Sequence, residues 1–187
     1  MKSDSSGSFV TERDSTMSTN LRSQELNQLT KDSITSAMLI LLKKKPFARI
    51  TISELCSCAG VSRNAYYRNF ANTRQVLQEY FQIQWERYAE EHKPEYHLPE
   101  QNADLFRAYV YDRREQIVLL KKQGLMSIME ELLLKALGPD KDAHGAERYI
   151  KSCLAYMVYG FIVAMADNDF SDSPQEIDLL FQQIKKT

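Results

Sequence analysis

The sequence predicts an all-α chain of about nine helices, and three observations carry that expectation. Apolar residues recur in steps of three and four along most of the chain. Helix-start signatures, a hydroxyl or amide residue followed three positions later by Glu or Gln, punctuate it repeatedly. No run alternates apolar and polar residues over the length of a strand.

The elements follow in order. Leu26, Leu29, Ile34, Ala37, Met38, Leu41 and Leu42 predict an amphipathic helix over roughly residues 27–44. Lys43, Lys44 and Lys45 suit the negative end of its dipole, and Pro46 stops it. Thr51 and Glu54 form a capping box, with Ile50 and Leu55 spaced as a hydrophobic staple, so a short second helix is expected over residues 52–58. Gly60 supplies the positive φ of a tight turn, and Ser62 caps a third helix, residues 63–69. Asn72 and Gln75 open a fourth, with Val76, Leu77, Tyr80, Phe81, Ile83, Trp85 and Tyr88 as its apolar positions, reaching about His92.

Beyond a loop bracketed by Pro94 and Pro99, helices are expected over 103–123 and 125–137, parted by Gly124. Residues 137–145 read as a loop, and 146–167 as a long helix apolar on most sides. Ser173, Pro174 and Glu176 combine an N-cap, a first-turn proline and an acidic third position, and start a last helix that runs to about Lys185.

Composition bounds the function. With 187 residues, 43% hydrophobic and 26% charged, the chain is ordinary for a globular protein able to bury a core. No uninterrupted apolar run of membrane-spanning length occurs, so no span is expected. Residues 1–25 are expected as a disordered tail, 26–73 as one domain and 74–187 as a second. Three cysteines without a secretory signal fit a reducing cytoplasm. Cys56 and Cys58 lie about 200° apart on a helix and cannot face one ion, and no metal or cofactor is expected. His92 and His97, close to Glu91 and Glu95, read as solvated loop residues.

The net charge of −1 hides an asymmetry. Residues 31–76 carry eight Lys or Arg against Asp32 and Glu54, whereas residues 77–187 carry 13 basic and 19 acidic side chains. A cationic first part followed by an acidic remainder suits a segment that meets a polyanion.

The stretch that carries function is Thr51 to Phe70. Two short helices joined by a Gly turn, the second polar on its outer face, form a helix-turn-helix. Arg63 can pair with guanine and Asn64 with adenine, with the Ser62 hydroxyl beside them. Tyr67, Arg68 and Asn69 can reach phosphates or neighbouring bases, while Thr51 and Ser53 can hold a phosphate at the start of the preceding helix.

The segment KKKPFARITISELCSCAGVSRNAYYRNF, followed by ANTRQVL, resembles the N-terminal domain of TetR/AcrR-type transcriptional regulators. The shared elements are the aromatic after a helix end, T-x-x-E-L, the A-G-V-S turn and Y-x-x-F, over about fifty residues. The resemblance implies a three-helix DNA-binding domain and a long fourth helix leading to a divergent helical ligand-binding and dimerisation bundle. It also implies a homodimer formed through the last two long helices, usually a repressor of a near-palindromic operator relieved by a small-molecule effector. Carried over by position, Ser53, Arg63, Asn64 and Ala65 are base-proximal, whereas Thr51, Ser62, Tyr67 and Asn69 hold the backbone. Thr73 stands where the family often has a phosphate-binding Lys, with Arg74 beside it, and Tyr66 sits at a usual core position.

In the second half, Trp85, Tyr109, Met126, Met129, Tyr156 and Tyr159 are candidate pocket-lining residues, because bundles hold ligands between helices and Met adapts to irregular shapes. Gly160, costly inside a helix, suggests a close helix approach at the dimer interface. No catalytic triad, phosphate loop or paired-carboxylate spacing is visible, and a non-enzyme is expected. A helical adaptor that binds protein through its N-terminal hairpin, and a small helical enzyme, remain as the alternatives.

Overall fold

The computed structural model describes residues 9–92, 99–173 and a few positions beyond, 175–177, 179 and 183; side chains are described from residue 21 on, those of 99–104 excepted. The chain is all-helical, with no strand among the described residues. The helices are α1 (Phe9–Leu42), a 3-10 turn (Phe47–Arg49), α2 (Ile52–Ala59), α3 (Arg63–Asn69), α4 (Thr73–Glu91), α5 (Pro99–Asp112), α6 (Arg114–Lys122), α7 (Ser127–Leu137) and α8 (Gly145–Asp167). They divide into two compact units, residues 1–76 and 77–187.

In the first unit α1 packs on α2 and α3, which also pack on each other. Its core is Ile34, Ala37, Met38, Leu41 and Leu42 of α1 with Ile50, Leu55, Cys56, Tyr66 and Phe70. These α1 positions share one face at helical spacing, as the pattern requires. Two expectations are corrected here. Residues 9–25 are helical in α1 rather than a tail, because no Pro or Gly interrupts the chain from Phe9 to Lys45. Leu26 and Leu29 are 65% and 62% exposed, so they stand outside the core they were expected to join. Residues 1–8 lie outside the described part.

In the second unit α8 packs against α5, α6 and α7, and α5 also packs on α6 and α7. The predicted helix over 103–123 is in fact two, since α5 starts at Pro99 and ends at Asp112 and α6 resumes at Arg114. A proline at the first helical position gives up no hydrogen bond, so Pro99 starts the helix it was expected to precede. At the break, the Arg113 N–H lies 3.1 Å from the Tyr109 carbonyl and 3.2 Å from that of Val110, a tightened turn with φ −104° and ψ 16°. Neither Pro nor Gly marks it. Gly124, at φ 69°, parts α6 from α7 as expected.

The signature at Ser173 forms as a complete box. The Ser173 hydroxyl accepts the Glu176 N–H at 3.3 Å, and the Glu176 carboxylate takes the Ser173 N–H at 2.8 Å. The Ser173 hydroxyl also donates to the carboxylate at 2.7 Å, and the two donations, backbone first and hydroxyl second, hold its pKa below the usual range.

By length and composition α8 can cross a membrane, with a mean hydropathy of 1.5 over its most apolar window. Core helices pass the same test, and three helices cover one side of α8. Its other side bears Tyr149, Cys153, Tyr156, Met157, Gly160 and Ala164, all exposed and on one face by helical spacing.

Candidate nucleic-acid interface

The site is built from the Thr51 cap upward. The Thr51 hydroxyl accepts the Glu54 N–H at 3.2 Å and starts α2. Only half of the expected box forms, because the Glu54 carboxylate pairs with the Lys45 ammonium. Ile50 and Leu55 are both buried, as the staple requires. Cys56 is buried and Cys58 exposed, which is the outcome of their angular separation. Burial raises the Cys56 thiol pKa, partly opposed by the Arg63 charge. Among the described residues no three His, Cys, Asp or Glu side chains gather in a way that holds a metal.

Gly60 then turns the chain at φ 68° and ψ 27°, its N–H directed at the Cys56 and Ser57 carbonyls. The Val61 N–H joins the Cys56 carbonyl at 3.0 Å, so two of the carbonyls left free at the end of α2 are used. A Cβ at Gly60 meets nothing within 4 Å, so only the backbone conformation resists substitution. Gly60→Ala is therefore expected to cost about 1–2 kcal/mol of unfolding free energy, measured by urea titration, with no steric share.

The Ser62 hydroxyl accepts the Ala65 N–H at 3.1 Å and starts α3 within two residues of the turn. Tyr66 and Phe70 anchor the helix, both buried, with ring centroids 5.9 Å apart. The Tyr66 hydroxyl has no hydrogen-bond partner, and burial chiefly, then the neighbouring Cys56 and Tyr67, pushes its pKa from 10.0 up to about 12. Because the folded value is the higher, stability is intact below pH 10 and falls as the pH rises from about 10 to 12, where the unfolded chain ionises first. Tyr66→Phe is expected to hold or raise stability at neutral pH by about 1 kcal/mol, since it removes an unsatisfied buried group. The same variant is expected to lose part of the alkaline decline in thermal melts recorded across that range.

With Tyr66 and Phe70 inward, α3 presents two other sides. Ser62, Arg63, Asn64, Tyr67 and Arg68 are exposed on the outer side, Tyr67 at 57%. The Arg63 guanidinium donates to the Ser53 hydroxyl, which ties the start of α2 to the outer side of α3. Thr51 and Ser53 are exposed on that same edge. Arg68 Nε donates to the Asn64 carbonyl at 3.4 Å.

Ala65 and Asn69 turn the other way. Both are half-buried, and with Arg68 they line an open groove of about 490 Å³ against Ser23, Leu26, Asn27 and Thr30 of α1. Asn69 Nδ2 donates to the Ala65 carbonyl at 2.8 Å. Ala65, expected to be base-proximal, therefore lies on the side facing α1. Of the α1 lining only Ser23 falls in the segment expected as a tail, whereas Leu26, Asn27 and Thr30 belong to the expected first domain and face α3 through tertiary packing. The signal for Ser23 is the breaker-free run upstream of Leu26.

Thr73 is the half-buried first residue of α4. The turn ahead of it is closed by the Gln75 N–H on Asn72 Oδ1 at 2.9 Å and the Ala71 N–H on Gln75 Oε1 at 2.7 Å, the cap read from Asn72 and Gln75.

The six candidate pocket residues of the second unit have different surroundings. Trp85 and Tyr109 come together, ring centroids 5.6 Å apart, inside an aromatic cluster with Phe106. The Tyr109 hydroxyl is spent on the Phe81 carbonyl at 3.1 Å, and burial raises its pKa strongly. Met129 is buried, and Met126 and Tyr159 are half-buried. Tyr156 is 51% exposed on the outer face of α8, so it is a surface residue. No protein-family model matches the sequence, and no curated protein matches it either.

Proposed function

We propose that the protein is a TetR-type DNA-binding transcriptional regulator that acts as a homodimer on a near-palindromic operator, in most such proteins as a ligand-relieved repressor. The observation that carries this reading is the outer side of α3. Arg63, Asn64, Tyr67 and Arg68 stand exposed together on a short helix held in place by a Gly60 turn and two buried aromatics. Guanidinium, amide and phenol groups are what base edges and phosphates accept. The excess of positive charge over residues 31–76 supports an electrostatic approach to a polyanion.

The homodimer is supported by the exposed apolar face of α8. Among the described residues, apart from the two chain neighbours and the helix's own backbone, nothing lies within 4 Å of a Cβ placed on Gly160, so a second helix can approach closely there. A twofold pair of recognition helices would sit about 34–36 Å apart, one turn of duplex. An effector that moves the balance from 1:99 to 99:1 must prefer the non-binding state by about 5.5 kcal/mol.

The experiment is selection from a randomised duplex pool with purified protein at about 150 mM salt, where non-specific affinity is low. An enriched inverted repeat, lost in the Arg63→Ala/Tyr67→Ala variant, is the expected result. A folded dimer that enriches nothing moves weight to the adaptor reading.

A further inference from the structure

Arg113 occupies the joint between α5 and α6, and its side chain is 28% exposed. Its charge is only loosely satisfied. One Nη lies 3.3 Å from Gln84 Oε1, the other 3.7 Å from Asp112 Oδ2, and the cation sits 6.0 Å over the Tyr109 ring. The Nε–H is buried with no acceptor. A guanidinium ordinarily spends its planar fork on two oxygens at once, and a buried N–H without an acceptor is costly.

The surroundings are aromatic. Tyr80, Gln84 and Tyr88 stand at successive helical turns on one side of α4. Burial raises the hydroxyl pKa of Tyr80 and, with the Asp112 charge, that of Tyr88, and the Arg113 charge opposes both. Trp85 and Tyr109 close the cluster, and the Tyr88 ring lies 5.6 Å from that of Tyr109.

We propose that Arg113 anchors a binding site for an aromatic carboxylate. The carboxylate takes the Nε–H and Nη–H edge in place of Gln84, and the aromatic body lies against Tyr80 and Tyr88. One guanidinium matches one negative charge. A phosphate dianion would need a second cation, whereas the ionised side chain recorded beside Arg113 is the acidic Asp112. The effector role of this site rests on the regulator reading, whereas the binding itself does not. Tyr80, Gln84 and Tyr88 all belong to α4, the helix whose first turn lies in the DNA-binding unit, so an anion that displaces Gln84 acts on that helix.

The single tryptophan reports on the site. Benzoate is titrated into the full chain while Trp85 fluorescence is followed, with benzamide as the neutral control. Saturable quenching is expected by about 10 mM benzoate, at least about tenfold weaker with benzamide, and weakened at least about tenfold in Arg113→Gln. Arg113→Lys, which keeps the charge and loses the fork, is expected to fall between. Equal responses to benzoate and benzamide overturn the proposal without any variant, as does an absence of response. An unchanged titration in Arg113→Gln of native helicity overturns it too. Selective benzoate binding that leaves operator affinity unchanged overturns the effector role alone. Selective binding by a protein that selects no operator leaves this site standing and removes the regulator reading.

Discussion

Replacing Arg63 with alanine is expected to weaken operator binding by about 1–3 kcal/mol, roughly 5- to 150-fold, and to relax specificity at one base pair. The magnitude is that of a bidentate contact between a guanidinium and a base edge. Folding is expected to be untouched, since Arg63 is exposed and its hydrogen bond in the free protein goes to the equally exposed Ser53 hydroxyl. Tyr67→Ala behaves differently. A phenol on the backbone loses affinity nearly equally for all sequences, and the double variant is expected to add the two losses roughly, with coupling because the side chains share one helical turn. Fluorescence anisotropy on the selected operator and on a single-mismatch duplex separates the two roles. A loss with Arg63→Ala that is the same on both duplexes would assign Arg63 to a phosphate.

Tyr156→Glu is expected to break the proposed homodimer. Tyr156 is 51% and Met157 40% exposed in the single chain, so a carboxylate there stays in water and leaves the fold intact. In a twofold interface the same position occurs twice, so two unpaired charges are buried together. The expected cost is about 2–5 kcal/mol, a rise in the dimer dissociation constant of about 30- to 5000-fold. Sedimentation velocity is expected to show a monomer of unchanged helicity, and cooperative operator binding is expected to disappear with it. A stable Tyr156→Glu dimer would place the interface elsewhere.

The helix starts were the most legible part of the chain. Thr51, Ser62, Asn72 and Ser173 each cap in the structure, and α3 occupies the predicted residues 63–69. The second helix is one residue longer than its forecast and the fourth begins one residue later. Within the candidate site, Tyr66 lies inward, as its position in the resemblance implied, and Arg63, Asn64, Tyr67 and Arg68 are exposed, as the polar outer face of the helix implied. Two of the departures involve a partner elsewhere in the chain. Glu54 left its box for Lys45. Ala65 and Asn69 found the upstream part of α1 beside them.

The sequence by itself determined where α2, α3 and α4 begin, where the Gly60 turn falls, and which side of α3 is polar. Those choices are made by hydrogen bonds and φ preferences within about four residues, so the residues responsible lie next to the feature they produce. Only the tertiary structure decided that Leu26 and Leu29 stay in water, that α5 and α6 part at Arg113, and that Tyr156 faces outward from the bundle. Each depends on what packs against a helix face from far along the chain. An apolar residue at a correct helical position is buried only where another element covers it.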